Sequence, residues 1–125
     1  QRYYSRQFIL RNESDSSALQ GFEKVLNAFF EDRPPEINGL PTVEYFAQKL
    51  CLSPNYLSDM LKSITGKTAQ EHIHFKLIEK AKIKLLGSNA SIAEIAFELG
   101  FEYPQYFSRL FRKKTGFTPT EFRTN

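Results

Sequence analysis

The sequence has no tryptophan, one cysteine, one methionine and two histidines in 125 residues. The single Cys51 excludes an internal disulfide, and with it the small folds that are stapled by disulfides; it fits a reducing compartment. His72 and His74 are two apart, so on a helix they point about 200° away from each other and cannot share one metal as i, i+4 histidines can. Both read as surface or packing residues. Cys51 has no histidine near it in sequence to activate a nucleophile. No glycine-rich loop is present to cradle a phosphate. No apolar run approaches the roughly 18 residues that a membrane span needs, and no secretory leader is visible. These absences leave no catalytic constellation. We therefore expect no enzyme activity, no cofactor, no metal and no membrane, in a protein of the cytoplasm.

What is present is an apolar fraction of 41% that includes twelve Phe and six Tyr. That is enough to build a core, for one domain or two very small subdomains. It is also a repeat. Pro54-Asn55-Tyr56-Leu57-Ser58 returns as Pro104-Gln105-Tyr106-Phe107-Ser108, Thr65-Gly66 as Thr115-Gly116, Thr68 as Thr118 and Glu71 as Glu121, all at an offset of 50 (104 − 54). Upstream the offset slips to 49: Val43 matches Ile92, Ala47 matches Ala96 and Leu50 matches Leu99. One short unit is thus written twice, with one residue inserted at the turn of the second copy. Each copy reads as helix, tight turn, helix, the form of a helix-turn-helix DNA reader.

Charge follows the repeat. Residues 1–40 carry 5 Lys/Arg against 6 Asp/Glu, a net of −1, and residues 41–125 carry 12 against 8, a net of +4. The basic balance sits where phosphates would be met.

Residues 1–16 are polar and of mixed charge apart from Phe8-Ile9-Leu10, and read as a linker or as the edge of another domain. The start at Gln1 instead of Met points to a fragment or a processed product. Ser17 with Gln20 forms a capping-box pattern that predicts a helix from Ala18 to Phe30. Leu19, Phe22, Leu26, Phe29 and Phe30 fall on one stripe of it. That stripe either packs on the following subdomain or serves as a dimerisation or interdomain face. Arg33-Pro34-Pro35 ends the helix, and Asn38-Gly39 with Pro41 makes a loop.

In copy one, Thr42 caps a first helix with a buried stripe of Val43, Phe46, Ala47 and Leu50. The small Ala47 lets two helices approach closely. Cys51-Leu52 turns, and Ser53 and Pro54 suit the N-cap and first position of a second helix that Gly66 stops. Thr68 and Glu71 cap a long helix to Leu86, stopped by Gly87. Its apolar side is Ile73, Leu77, Ile78, Ala81 and Leu85, and Lys76, Lys80, Lys82 and Lys84 make much of the rest. Some 18 residues give it about 27 Å, enough to hold two readers at a set separation. In copy two, Ser91 and Glu94 cap the first helix, with Ile92, Ile95, Ala96 and Leu99 buried. Gly100 turns, in the place of Cys51, which is less suited to positive φ and predicts a more strained turn. The second helix runs from Pro104 to Thr115, stopped by Gly116, and Thr118-Pro119-Thr120-Glu121 opens a short terminal helix.

The second helix of each copy has two faces. Leu57, Met60, Leu61 and Ile64 point in, and Asn55, Ser58, Asp59 and Lys62 point out. In copy two Phe107, Leu110 and Phe111 point in, and Gln105, Ser108, Arg109 and Arg112 point out. The outward sets carry the residue types that read base edges: Asn and Gln for adenine, Arg for guanine, Asp for the cytosine amino group. Any solvated helix face carries such residues, but here both faces stand in a repeated helix-turn-helix frame. The predicted base contacts are Asn55, Ser58, Asp59, Gln105, Ser108 and Arg109, with Arg109 on guanine. The predicted phosphate contacts are Lys62, Arg112 and Lys113, with the capped helix starts at Thr42 and Ser91. Asp59 stands where copy two has Arg109. It repels phosphates unless it accepts a base amino hydrogen, so copy one contributes less affinity or favours cytosine.

These residues also carry a resemblance. Leu52-Ser53-Pro54-Asn55-Tyr56-Leu57-Ser58 and Thr65-Gly66-Lys67-Thr68, then Ile92-Ala93-Glu94-Ile95-Ala96-Phe97-Glu98-Leu99-Gly100-Phe101, Tyr106 to Gly116 and Pro119 closely resemble the DNA-binding domain of AraC/XylS-type bacterial transcription regulators, over Leu40 to Arg123. The resemblance implies an all-α, homeodomain-like fold of two helix-turn-helix subdomains joined by a long helix, both recognition helices lying in successive major-groove segments of one site. It implies an upstream effector-binding or dimerisation domain, for which residues 1–38 are the linker and N-terminal helix. Residues 39–125 are then the DNA-binding domain, divided as 39–70, 71–87 and 88–125. It implies RNA polymerase as a partner and a homodimer formed through the upstream domain. Asp59 and Cys51 depart from the family, which often has a basic or neutral residue and Gly there. The rival reading is a protein-interaction module whose outward faces meet RNA polymerase or another regulator.

Overall fold

The computed structural model describes the backbone of residues 2–33 and 39–124, and side chains over 17–33 and 39–124. Among the described residues all regular structure is helical: α1 (Arg2–Glu31), α2 (Val43–Lys49), α3 (Pro54–Thr65), α4 (Ala69–Gly87), α5 (Ile92–Leu99), α6 (Pro104–Thr115) and α7 (Pro119–Thr124). Two compact units form, one from Gln1–Pro34 with Thr42–Glu71, the other from Pro35–Pro41 with His72–Asn125.

The first helix does not begin at Ala18 as its capping pattern predicts. It runs from Arg2, and Ser17 lies inside it. The reason is local: no Pro or Gly interrupts residues 2–20, and a Ser three residues before a Gln is as compatible with a helix interior as with a cap. The side chains of Phe8-Ile9-Leu10 lie outside the described residues, as do Pro34, Pro35 and Asn38 of the predicted helix stop and loop.

In the first unit Phe22, Leu26 and Phe29 of α1 are buried, together with Phe46 and Ala47 of α2 and Leu57, Met60 and Leu61 of α3. Phe46 takes Phe22 and Phe29 edge-on at centroid distances of 5.8 and 5.9 Å. Of the two readings of the α1 stripe, packing on the adjoining helices is the one that this core supports. Ile64 corrects the predicted buried face of α3, because it is exposed. It has the right helical phase but stands in the last turn, at the end of the helix.

The second unit buries Ile73, Leu77, Ile78, Ala81 and Leu85 of α4, Ile95, Ala96 and Leu99 of α5, Phe101, and Phe107 and Phe111 of α6. Phe107 packs against Phe101 and Phe111 at 5.5 and 5.8 Å, and Phe111 against Phe122 of α7 at 5.4 Å. Leu110 is only half-buried. Arg123 closes the end of α4: its Nε donates to the Leu85 carbonyl at 2.9 Å and its Nη2 to that of Ser88 at 3.3 Å. Helix-end carbonyls have no partner within their own helix, and a guanidinium from another element supplies one. The Lys84–Glu98 ion pair at 3.0 Å is half-exposed and adds little.

The turns show the repeat most closely. Leu52 N–H donates to the Ala47 carbonyl and Phe101 N–H to the Ala96 carbonyl, both at 2.9 Å. The residue before each has positive φ, 60° at Cys51 and 108° at Gly100. The strain expected at Cys51 is therefore present. At Gly100 a second constraint operates, since a Cβ there would stand 2.7 Å from the Gly39 carbonyl oxygen and 2.8 Å from its carbon. The two turns should respond oppositely to substitution. Cys51→Gly should stabilise the chain by up to about 1 kcal/mol, because it removes a left-handed non-glycine residue. Gly100→Ala should cost about 2 kcal/mol or more, because it adds a clash with backbone to the same strain. Thermal unfolding of the two variants checks this, and two shifts of the same sign would contradict it.

Candidate nucleic-acid interface

Helix α3 starts on Ser53, whose Oγ accepts the Tyr56 N–H at 3.1 Å, with Pro54 in the first turn. Helix α6 starts on Tyr103, which makes no side-chain cap bond, again with Pro in the first turn. The second copy thus has at this N-cap position a tyrosine that leaves the helix without the side-chain cap that Ser53 gives α3. Both helices end on glycines of positive φ, Gly66 and Gly116. Just before each, a threonine ties the end down. Thr65 Oγ1 donates to the Leu61 carbonyl at 2.7 Å and accepts the Lys67 N–H at 3.2 Å. Thr115 repeats both bonds with Phe111 and Phe117, at 2.8 and 3.1 Å. Sequence comparison marks these threonines as repeated but assigns them no role.

Buried residues fix which way each helix faces. With Leu57, Met60 and Leu61 inward, Asn55, Asp59 and Lys62 are exposed on α3. With Phe107 and Phe111 inward, Gln105, Arg109, Arg112, Lys113 and Lys114 are exposed on α6. Ser58 and Ser108 sit half-buried at the edge of these faces. The Ser58 Oγ accepts the Ala69 N–H at 3.4 Å, which ties α3 to the start of α4. A hydroxyl that accepts one bond still has a hydrogen to donate and a second lone pair.

The two predicted helix-start anchors are exposed but already engaged. Thr42 Oγ1 accepts the Tyr45 N–H at 3.1 Å. Ser91 Oγ accepts the Glu94 N–H at 3.0 Å, and Glu94 Oε1 accepts the Ser91 N–H at 2.8 Å. A carboxylate therefore stands at the start of α5, opposing a phosphate there and leaving fewer N–H groups free. Thr118 and Glu121 make the same reciprocal pair at 3.1 and 2.8 Å, and Thr68 and Glu71 at 3.2 and 2.8 Å.

Electrostatically the faces differ. The α3 face carries one cation, Lys62, and one anion, Asp59, whereas the α6 face carries four cations in six residues. On α6 the Arg109 guanidinium lies 5.6 Å over the Tyr106 ring, which meets Tyr103 edge-on at 5.6 Å. Sequence reasoning missed these tyrosines, although the i, i+3 spacing of Tyr106 and Arg109 was the available signal. Among the described residues no group of three or more His, Cys, Asp or Glu could hold a metal, and no helix is long and apolar enough to cross a membrane.

The geometry is that of a duplicated helix-turn-helix, and comparison with known proteins agrees. The family described as helix-turn-helix domain matches residues 46–125. The transcriptional activator RhaS of Escherichia fergusonii is 38% identical over 114 residues, which cover 86% of this chain and 40% of that protein. Among solved structures, the C-terminal domain of the two-component response regulator yesN from Fusobacterium nucleatum superposes with a TM-score of 0.68 at 32% identity, covering 81% of this chain and 96% of that one. The DNA-binding domain of AdpA, solved in complex with a target DNA, shares the fold with a TM-score of 0.69 at 22% identity, over 82% and 89% of the two chains. The chain belongs to the AraC-type helix-turn-helix family and is a DNA-binding domain of the kind carried by transcription regulators, a family of DNA readers and not of enzymes. It spans less than half the length of the curated relatives that it matches.

The capping boxes generate a pH dependence. The Glu94 carboxyl is held below the usual glutamate range, chiefly because it accepts the Ser91 backbone N–H and further through the Ser91 hydroxyl. Glu121 is lowered likewise by the Thr118 backbone and hydroxyl, and by the nearby Arg112. A depressed carboxyl contributes stability that is present above its unfolded pKa and lost as the pH falls through the folded one. The melting temperature of the chain should therefore fall on acidification below the usual glutamate range, and fall less in the Glu94→Gln, Glu121→Gln double variant. Equal acid sensitivity of the two would contradict this assignment.

Proposed function

We propose that α3 and α6 are the two recognition helices of this domain and that both enter the major groove of one promoter site, with half-site centres about one helical turn, roughly 10 bp, apart. Base edges are read by Asn55, Ser58 and Asp59 from α3, and by Gln105, Ser108 and Arg109 from α6. Lys62, Arg112 and Lys113 take phosphates. Thr42 and Ser91 are weaker anchors, because their caps are self-satisfied and a carboxylate stands beside Ser91. The observation that carries this reading is that the two sets stand at equivalent positions, exposed or at the exposed edge, on helices held by buried residues at equivalent positions (Leu57 and Phe107, Leu61 and Phe111), first-turn prolines and threonine ties. The DNA bound by AdpA in its solved structure supports the same use of the fold.

In this reading residues 39–70 and 88–125 are the two readers, 71–87 the linker helix, and 1–38 the approach from an upstream domain. The protein works without a cofactor or catalysis, in the cytoplasm with its promoter. RNA polymerase is a second partner, and homodimerisation through the upstream domain a further one. Exposed Ile83, Leu86 and Phe97, which a DNA contact does not require, favour such a protein partner for the second unit.

Removal of a phosphate contact tests the assignment. Arg112→Ala and Lys113→Ala should each weaken binding by a similar factor on every duplex and flatten the dependence of log K on log salt by about one. Fluorescence anisotropy across a salt series reads both. An unchanged salt slope with intact helicity would remove these residues from the interface and favour the interaction-module reading.

A further inference from the structure

The aromatic residues at the start of α6 are misplaced for a core. Tyr103 and Tyr106 are 49% and 50% exposed, yet they meet edge-on, and Arg109 lies over the outer ring. Three exposed side chains spaced three residues apart, Tyr103, Tyr106 and Arg109, thus make one contiguous chain of contacts. The helix explains the direction. Side chains on a helix lean toward its N-terminus, so the Arg109 side chain extends over the turn that carries Tyr106. That is also the end of a recognition helix that reaches the bases. A free arginine on a surface samples many rotamers and loses that freedom on docking. An arginine whose guanidinium rests on a ring in the unbound protein has lost much of it in advance.

Copy one supplies an internal control. Tyr56 occupies the place of Tyr106 and is equally exposed at 51%. Three residues on, however, it is followed by Asp59, an anion that a ring face does not attract. The ring is present in both copies and the cation only in one.

We propose that Tyr106, buttressed by Tyr103, is a positioning residue that holds the Arg109 guanidinium ready for a two-pronged contact with guanine, so that it sets sequence discrimination at one base pair of the α6 half-site without itself contacting that base. This rests on the reading of Arg109 as a base-contacting residue. Tyr56 has no such role, and the α3 half-site discriminates less sharply at the equivalent pair.

The test uses the 125-residue chain and duplexes built on a site recovered by selection, with each of the four bases in turn at every position. Arg109→Ala comes first and should abolish the preference for guanine at one pair. In Tyr106→Leu, discrimination at that same pair should drop about two- to fivefold, the worth of a cation–π contact at an exposed site. Other positions and the salt slope should be unchanged. Tyr106→Phe should retain the discrimination, because the ring face and not the hydroxyl holds the cation. In the Arg109→Ala background Tyr106→Leu should add nothing. Circular dichroism confirms that each variant keeps its helices; Tyr106→Phe keeps the ring and its packing, so the comparison survives if the leucine variant folds poorly. If Arg109→Ala acts as expected but Tyr106→Leu weakens all duplexes alike, or still acts without Arg109, the positioning role is overturned and the reading of Arg109 stands. If Arg109→Ala leaves every preference intact, the base-reading role of Arg109 falls, and this inference with it.

Discussion

In each unit two helices meet through a turn only a few residues long, and everything on the outward face depends on its angle. The turn works because one residue adopts positive φ, which lets the next N–H reach back to the carbonyl of a buried alanine, Ala47 or Ala96. A larger residue at either alanine would push the helices apart, and a different φ would rotate the second helix about its axis. Because side chains lie at 100° intervals around a helix, a modest rotation would replace Asn55 and Asp59, or Gln105 and Arg109, by their neighbours. The physical requirement is thus backbone geometry first and surface chemistry second.

That separation explains how a duplicated scaffold can carry two different readers. Both copies keep the turn bond, the proline in the first turn of the second helix, the left-handed glycine stop and the threonine tie, all of which act on backbone. They differ in what projects outward. One face mixes Asp59 with Lys62 and the other is strongly basic, so the two copies interact unequally with a polyanion even though their folds repeat. They also differ in how well each turn is suited to its task. Gly100 meets a steric and a conformational demand at once, while Cys51 accepts strain that a glycine would relieve.

Much of this was legible in the sequence, because the signals were local. The capping boxes at Thr68, Ser91 and Thr118 need only residues three apart, and each forms as the pattern predicts. The faces of α3 and α6 followed from the spacing of Leu57, Met60 and Leu61 and of Phe107 and Phe111. Some expectations were off: Leu110, Val43, Leu50 and Ile92, expected buried, are only half-buried, and two further misses show why. Ser17 with Gln20 satisfies a cap rule and a helix interior equally, so the start of α1 could not be read from it. Ile64 has the phase of a buried residue, but burial near a helix end depends on what else is present there. Other features are tertiary and carried no pattern at all: Arg123 closes α4 from 38 residues away, and Ser58 spends its oxygen on Ala69, 11 residues on. Tyr106 and Arg109 were visible as a pair at helical spacing, yet an exposed tyrosine repeated in both copies reads as a marker of the repeat until its ring is seen beneath a guanidinium.

Two recognition helices in one domain require that both outward faces read sequence. Selection of this chain against a randomised duplex pool, with sequencing of what is retained, measures that directly. The expected outcome is a bipartite motif with half-site centres about 10 bp apart, one half carrying a strongly preferred guanine and the other less sharply defined. Recovery of a single half-site would mean that one helix only reads bases, with the Asp59 copy as the silent one. Absence of any enriched motif from a chain that retains its helices would contradict the account.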